Sequence, residues 1–347
     1  MHLRNLEDCP ALAIHSLHPS QHEINSLHCR PVLRLRMTVK KSHLLLLLKM
    51  ALTASLLIFI VRTVDMHDVW ARIIEINPLW LLLAIVLVAV GYALCGLRWA
   101  WISHGLGIEV SRRRKIRLYF LGMFASLFLP STIGGDVVRG ILLARGEGRA
   151  GIGVTAAASV ILDRVNGLYA LVLVLTICMA MVTVPASGWW SWLALVSAMW
   201  ITMPLLPRFT AWLPAKLERL KSLPLRDPLF RQMWWKSMPV SFVFQLIIIQ
   251  AHVLLGMAVG LHMAWPEYAV MVGLVAVMAM LPISLNGFGV REAGYVGFAA
   301  YFGGDQAAAA AMAALWVIVL ALSSLPGLYV LWRMGGRQQI EASMQQP

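Results

Sequence analysis

The chain has 347 residues, 60% of them apolar and 13% charged, with a mean hydropathy of +0.75. A soluble domain needs roughly a quarter of its residues charged to cover its surface, so a water-soluble globule is excluded. The net charge of +13 does not imply a nucleic-acid partner, because the basic residues lie between long apolar blocks, the pattern of membrane-protein loops.

Residues 1–43 hold six of the ten histidines and six basic residues without an apolar run, and read as a disordered basic tail. No apolar stretch follows the basic start before Leu44, which argues against a signal peptide, and Met37 offers an alternative start. His15, His18, His22 and His28 lack a metal-ligand spacing. Cys9, Cys29, Cys95 and Cys178 are not spaced as pairs, so neither a metal site, a cofactor nor a disulfide framework is expected.

Residues 44–335 read as one membrane domain with halves at 44–185 and 189–332, followed by a short tail at 336–347. Apolar blocks run at about 44–61, 79–101, 118–129, 151–185, 189–207, 238–261, 267–283, 295–303 and 306–332. Several exceed the roughly 20 residues that cross a hydrocarbon core, and the alternation of barrel strands is absent, so helices are predicted. The connections 34–43, 102–117, 139–149 and 208–237 are basic, as is the end of the chain with Arg333 and Arg337. The connections 63–78, 186–188, 262–267 and 303–305 are poor in basic residues. The positive-inside rule assigns the first set and both termini to the cytoplasm of a multi-pass protein in the cytoplasmic (inner) membrane.

Two blocks resist this sorting. Residues 118–129 give only about 18 Å of helix between two basic loops, and Pro130-Ser131-Thr132-Ile133-Gly134-Gly135-Asp136 then breaks it. The stretch 118–149 therefore reads as a re-entrant hairpin entering from the cytoplasm. Residues 267–303 read as a second hairpin from outside, broken at Pro282-Ile283-Ser284-Leu285-Asn286-Gly287-Phe288-Gly289. The expected architecture is all-helical, with six full spans and two broken hairpins in two inverted halves. Eight plain spans with Pro/Gly kinks are the alternative. Paired broken segments in inverted halves point to a transporter binding site.

Ionisable residues at membrane depth cost at least a few kcal/mol unless paired or hydrated. They are Asp136 and Arg139 at the first break, Asp163 and Arg164 in the next block, and Arg291 and Glu292 at the second break. One reading makes them charge-compensated pairs that hold broken helices together. The other makes Arg139, Arg164 and Arg291 ligands for an anionic head group. Gly134, Gly135, Gly287 and Gly289 would then let that group approach backbone N–H donors, and Asp136, Asp163 and Glu292 would couple charge or protons. Lys49 and Arg98 are placed to snorkel, and Arg98 also to meet a lipid phosphate. His252 lies mid-span as a packing histidine or a relay. Gly256 and Gly260 suggest close helix packing. The match of Gly146–Gly151 to a dinucleotide fingerprint has no strand before it, and no soluble catalytic motif accompanies it, so no enzyme is expected.

The run Pro130-Ser131-x-x-Gly134-Gly135-Asp136-x-x-Arg139, then Asp163-Arg164, then Pro282…Gly287-x-Gly289-x-Arg291-Glu292 resembles the flippase-like membrane domain of lysylphosphatidylglycerol synthases, over about residues 40–335. The resemblance implies lipid translocation between leaflets, with Asp136, Arg139, Arg164, Arg291 and Glu292 as functional positions. The sequence shows no cytosolic aminoacyl-transfer domain, so synthesis of lysylphosphatidylglycerol is not expected. The leading expectation is a flippase-like transporter of an amphiphile with an anionic, phosphate-type head group. The alternatives are a membrane scaffold that presents lipid to a biosynthetic enzyme partner, or an embedded transferase.

Overall fold

The computed structural model describes residues 30–129, 133–147, 152–182, 192–193, 196–201, 223–281, 284 and 286–344, with side chains over the part from 47 to 335. Most of these residues are helical, and no strand occurs among them. In chain order the helices are α1 (Arg30–Thr63), α2 (Met66–Ile74), α3 (Pro78–Gly105), α4 (Arg112–Phe128) and α5 (Gly134–Glu147). They continue with α6 (Ile152–Met181), α7 (Pro228–Ala258), α8 (Trp265–Met280), α9 (Val290–Tyr301) and α10 (Gln306–Met344). The described residues divide into two units at Lys49 and Met50, and every residue of the site described below lies in the second.

Among the described residues, α3, α6, α7 and residues 306–335 of α10 are each long and apolar enough to cross a membrane. The chain is thus a multi-pass membrane protein. Residues 47–63 of α1 with α2 add a fifth candidate, bent by 89°. Shared start signals explain where these helices begin. Asn77 and Asp227 each accept a hydrogen bond from the backbone N–H two residues on, with a proline in the first helical position. Asp65 caps α2 through His67 N at 2.8 Å, and Asp305 caps α10 through Ala307 N at 2.7 Å.

Two boundaries differ from expectation. Residues 30–43, read as part of a disordered tail, are the opening turns of α1, and α10 continues through 336–344. In both places an apolar helix adjoins the segment, and propagating an existing helix costs far less than nucleating one. Of the block at 189–207 only 192–193 and 196–201 are described, and these are helical. Pro130, Ser131, Thr132, Pro282, Ile283 and Leu285 of the two breaks lie outside the described residues.

The core forms where α7 packs along α3, with α4 and α10 alongside. Small residues set the approach: a Cβ on Gly105 would lie 3.0 Å from Phe230 Cα, and one on Gly96 3.0 Å from Ile116 Cα. Gly327 of α10 lies so close to Phe120 of α4 that any side chain there would overlap its carbonyl.

The connections segregate as their charges do. Arg72 holds three basic-poor stretches together, reaching Asp68 at 3.1 Å, the Val259 carbonyl at 2.8 Å and Asp305 at 2.7 Å. At the basic end the backbone N–H of Glu109 meets the Glu147 carboxylate at 3.2 Å. Helices α4 and α5 therefore begin and end together, as an antiparallel pair. Helices α8 and α9 do the same at the other end, where a Cβ on Gly304 would lie 3.1 Å from Leu261. Each of the four is shorter than the full spans: 17, 14, 16 and 12 residues.

Candidate functional site

The first break is built on close backbone contact. A Cβ on Gly135 would overlap the Gly122 carbonyl and the Ser126 hydroxyl, so α5 can turn back against α4 only with glycine there. Gly134 is pressed against Leu129, whose Cβ would lie 2.6 Å from an added methyl. Both glycines thus serve helix–helix contact. Asp136 follows in the first turn of α5, where a carboxylate complements the helix dipole.

From Asp136 an alternating chain of charges runs through the interior. Arg164 Nε donates to Asp136 Oδ2 at 2.8 Å, and Arg139 Nε to Asp136 Oδ1 at 3.0 Å. Arg139 Nη2 donates to Asp163 Oδ2 at 2.9 Å, and Arg98 Nε to Asp163 Oδ1 at 2.7 Å. Arg98 also donates to Ser241 Oγ at 3.1 Å, whose hydroxyl donates to Asn166 Oδ1 at 2.5 Å. The guanidinium of Arg139 is sandwiched between Trp99 and Tyr119, 4.7 Å from each ring centroid. The ring faces supply attraction to its Nη1, which has no hydrogen-bond partner among the described residues. Three arginines against two aspartates leave one positive charge. It emerges at Arg164, whose side chain is 46% exposed, against 0–10% for the other four members.

The second break uses left-handed backbone. Asn286, Gly287 and Gly289 have φ of 51°, 80° and 81°, and a Cβ on Gly289 would lie 3.1 Å from the Thr53 carbonyl. Glu292 Oε2 accepts from Gly289 N at 2.6 Å, closing the first turn of α9. The backbone donor that the broken helix was expected to offer an anion is therefore already used by its own glutamate. The other oxygen of Glu292 lies 3.6 Å from Arg291 Nε, and neither atom has a hydrogen-bond partner among the described residues. Arg291 lies 5.3 Å from the centre of the Phe288 ring.

The two breaks meet. Asn286 Nδ2 donates to the Ser126 carbonyl at 2.8 Å, and beside this contact lies a cavity of about 320 Å³. Arg164 and Arg291 line it, together with Tyr92, Ser126, Gln245, His252, Asn286 and Tyr295, and apolar and aromatic side chains form the rest of its wall. His252 bonds through Nδ1 to the Ile248 carbonyl and through Nε2 to Tyr295 Oη, both at 2.8 Å. A carbonyl only accepts, so Nδ1 carries a proton, and with the ring neutral the Tyr295 hydroxyl donates to Nε2.

The expected site residues thus divide. Arg164 and Arg291 face the cavity. Asp136 stands directly behind Arg164, with Arg139 and Asp163 deeper in the charge chain. Glu292 caps α9, and Gly287 and Gly289 shape the turn beside it.

A family model described as the lysylphosphatidylglycerol synthase TM region matches residues 46–327. The chain belongs to that family. No curated protein matches it. The part shared with the lysylphosphatidylglycerol synthase TM region contains both breaks, the charge chain and every residue named on the cavity wall.

Sequence reasoning missed the place of Arg98, read there as a snorkelling or phosphate-contacting residue and found 4% exposed against Asp163. It also gave no role to Gln245, Asn286 or Tyr295. Gln245 carried a usable signal, a polar side chain in the middle of an apolar helix. Tyr295 carried none, because a tyrosine among apolar residues reads as ordinary core.

Proposed function

We propose that this member of the lysylphosphatidylglycerol synthase TM-region family moves a membrane lipid with an anionic, phosphate-type head group between leaflets. One observation carries the reading: the end of α4 and the turn before α9 are joined through Ser126 and Asn286 beside a cavity on whose wall Arg164 and Arg291 both lie. Guanidinium groups match phosphate oxygens in geometry and charge, and a low-dielectric wall strengthens that attraction. Most of the remaining wall is apolar and aromatic, suited to glycerol and the first carbons of acyl chains.

In this reading the basic end is cytoplasmic, with both termini there, in the cytoplasmic membrane. The pair α4–α5 is re-entrant from the cytoplasm and α8–α9 from outside, which relates the two halves by inversion. A head group crosses when one hairpin tip draws back from the other and the cavity changes the side on which it opens. Asp136 keeps Arg164 extended toward the cavity, and the buried Arg139–Asp163–Arg98 chain holds Asp136 in place. No covalent step is assigned to any residue.

Reconstitution tests the proposal. Fluorescent lipids are placed in vesicles with and without the full chain, and the outer-leaflet label is bleached with a membrane-impermeant reductant. The proposal expects protein-dependent loss of protection for phosphate-bearing anionic lipids and little for an uncharged glycolipid. Folded protein that moves none of these lipids would overturn it and favour the scaffold alternative.

A further inference from the structure

Helix α2 leaves part of its apolar face uncovered by the described residues. It has only nine residues, yet its start is well fixed. Asp65 caps it, and Val64 and Val69, at the two positions of a hydrophobic staple, are both buried. It turns 89° away from α1. At about 100° per residue, Val69, Ile73, Met66, Trp70 and Ile74 form one continuous apolar arc. Val69 is buried, and Met66 and Ile73 pack against the core. Trp70 and Ile74 complete the arc and are 63% and 65% exposed.

The neighbouring helices indicate what covers them. Two residues separate α1 from α2 and three separate α2 from α3, links that reach roughly 10–14 Å at most. Both neighbours are candidate spans, and both expose apolar side chains close to these links: Ile58, Phe59 and Val61 of α1, and Leu79, Leu82 and Leu83 of α3. Lipid that surrounds those side chains continues past α2. The uncovered pair suits it, since tryptophan settles at head-group level and isoleucine below it. The charged residues Asp68 and Arg72 lie on the opposite side of the helix, about 160° around.

That opposite side grips the fold. Arg72 Nη1 donates to the Val259 carbonyl at 2.8 Å and Nη2 to Asp305 Oδ2 at 2.7 Å. Val259 lies before α8 and Asp305 after α9, so one side chain fastens both ends of that pair.

We propose that α2 is an interfacial helix that seats Trp70 and Ile74 in the bilayer surface at the basic-poor end. Helices of this kind lie with their apolar face about 5–10 Å into the head-group boundary. Arg72 then ties the ends of the α8–α9 pair to that surface. The partner is the lipid surface itself, so the proposal stands whether or not the cavity carries a head group.

The test uses the full chain in vesicles, with its own cysteines replaced by serine and a bimane label at Trp70→Cys, Ile74→Cys or Glu75→Cys. Glu75 is exposed just past the helix and serves as the aqueous reference. Lipids brominated in the upper acyl chain should quench the label at 70 and 74 several-fold more than at 75, and aqueous iodide should give the reverse order. Iodide quenching at 70 and 74 equal to that at 75 would overturn the proposal. Protection from both quenchers would overturn it too, because a second protein would then cover the face. Should Trp70→Cys fail to fold, position 74 decides. For the tie, Arg72→Met should raise hydrogen exchange of α8 and α9 several-fold, while α3 and α6 keep theirs and the label at 74 stays lipid-quenched. Unchanged exchange in α8 and α9 would overturn the link between the membrane surface and that pair.

Discussion

Asn286 and Ser126, 160 positions apart in the chain, are joined by a 2.8 Å hydrogen bond between the turn before α9 and the end of α4. The donor comes from a residue held in left-handed backbone at φ 51°, and the acceptor is a carbonyl in the last turn of α4. A single side-chain bond of this kind contributes about 1 kcal/mol, strong enough to favour a closed contact and weak enough to open on microsecond-to-millisecond timescales. With Cys9, Cys29, Cys95 and Cys178 replaced by serine, joining Ser126→Cys to Asn286→Cys with a short bifunctional thiol reagent should stop lipid movement, and a cleavable reagent should restore it. Undiminished transport in fully cross-linked protein would show that the tips need not part.

Cysteines introduced singly at Ile133 and Gly287 in the same background should react with impermeant thiol reagents from opposite sides of the membrane. Both breaks labelling from one side would favour plain kinked spans over hairpins.

Asp163 is fully buried and holds two arginines that are themselves 2–4% exposed. Asp163→Asn leaves both cations short of their counter-charge, and breaking a buried pair costs about 3–5 kcal/mol. Thermal unfolding in detergent should show a drop of that order for Asp163→Asn. Removing Arg98 as well should recover part of it, because one stranded charge goes with it. Equal unfolding temperatures in all three proteins would deny the charge chain its structural part.

Gly135 and Gly297 provide a matched pair. A methyl at Gly135 overlaps α4, whereas at Gly297 it meets open space. Gly135→Ala should destabilise by about 1–3 kcal/mol, the range for overpacking, and Gly297→Ala should change little in the same unfolding measurement.

These sites show what could be read from the chain alone. Pro130 to Asp136 and Asn286 to Glu292 announce breaks because proline and glycine act locally. The loops sort because Arg112–Arg117 and Asp65–Glu75 differ in charge. Which charge faces the cavity is a different kind of fact. Asp163 and Arg164 are neighbours in sequence yet point about 100° apart on α6, one into the charge chain and one toward the cavity. Only the packing of α3, α5, α7 and α8 around α6 decides that, and Arg98 enters the chain from α3 for the same reason.

Lys115 gives a pH test outside the spanning helices. Its ammonium is buried and donates to the Ile108 carbonyl at 2.8 Å. Burial, helped by Arg112 and opposed by Glu147, pushes its pKa down to about 8 from an ordinary 10.5. Below pH 8 both folded and unfolded chains are protonated there, and the burial penalty is constant. Between about 8 and 10.5 the unfolded chain binds more protons, so stability rises with pH. Unfolding temperature from pH 8 to 10 should therefore climb for the natural protein relative to Lys115→Met. Parallel profiles would contradict the depressed pKa.

The central claim is that Arg164 and Arg291 together carry an anionic head group past the meeting point of two hairpins. The most direct measurement is the rate of anionic lipid translocation in vesicles containing the natural protein, Arg164→Gln, Arg291→Gln or both, each at equal incorporation. A charge-assisted hydrogen bond is worth about 1.5–3 kcal/mol, so each single substitution should slow translocation by tenfold or more, and the double substitution should abolish it. Natural rates in the double variant, with the protein inserted and folded, would contradict the account.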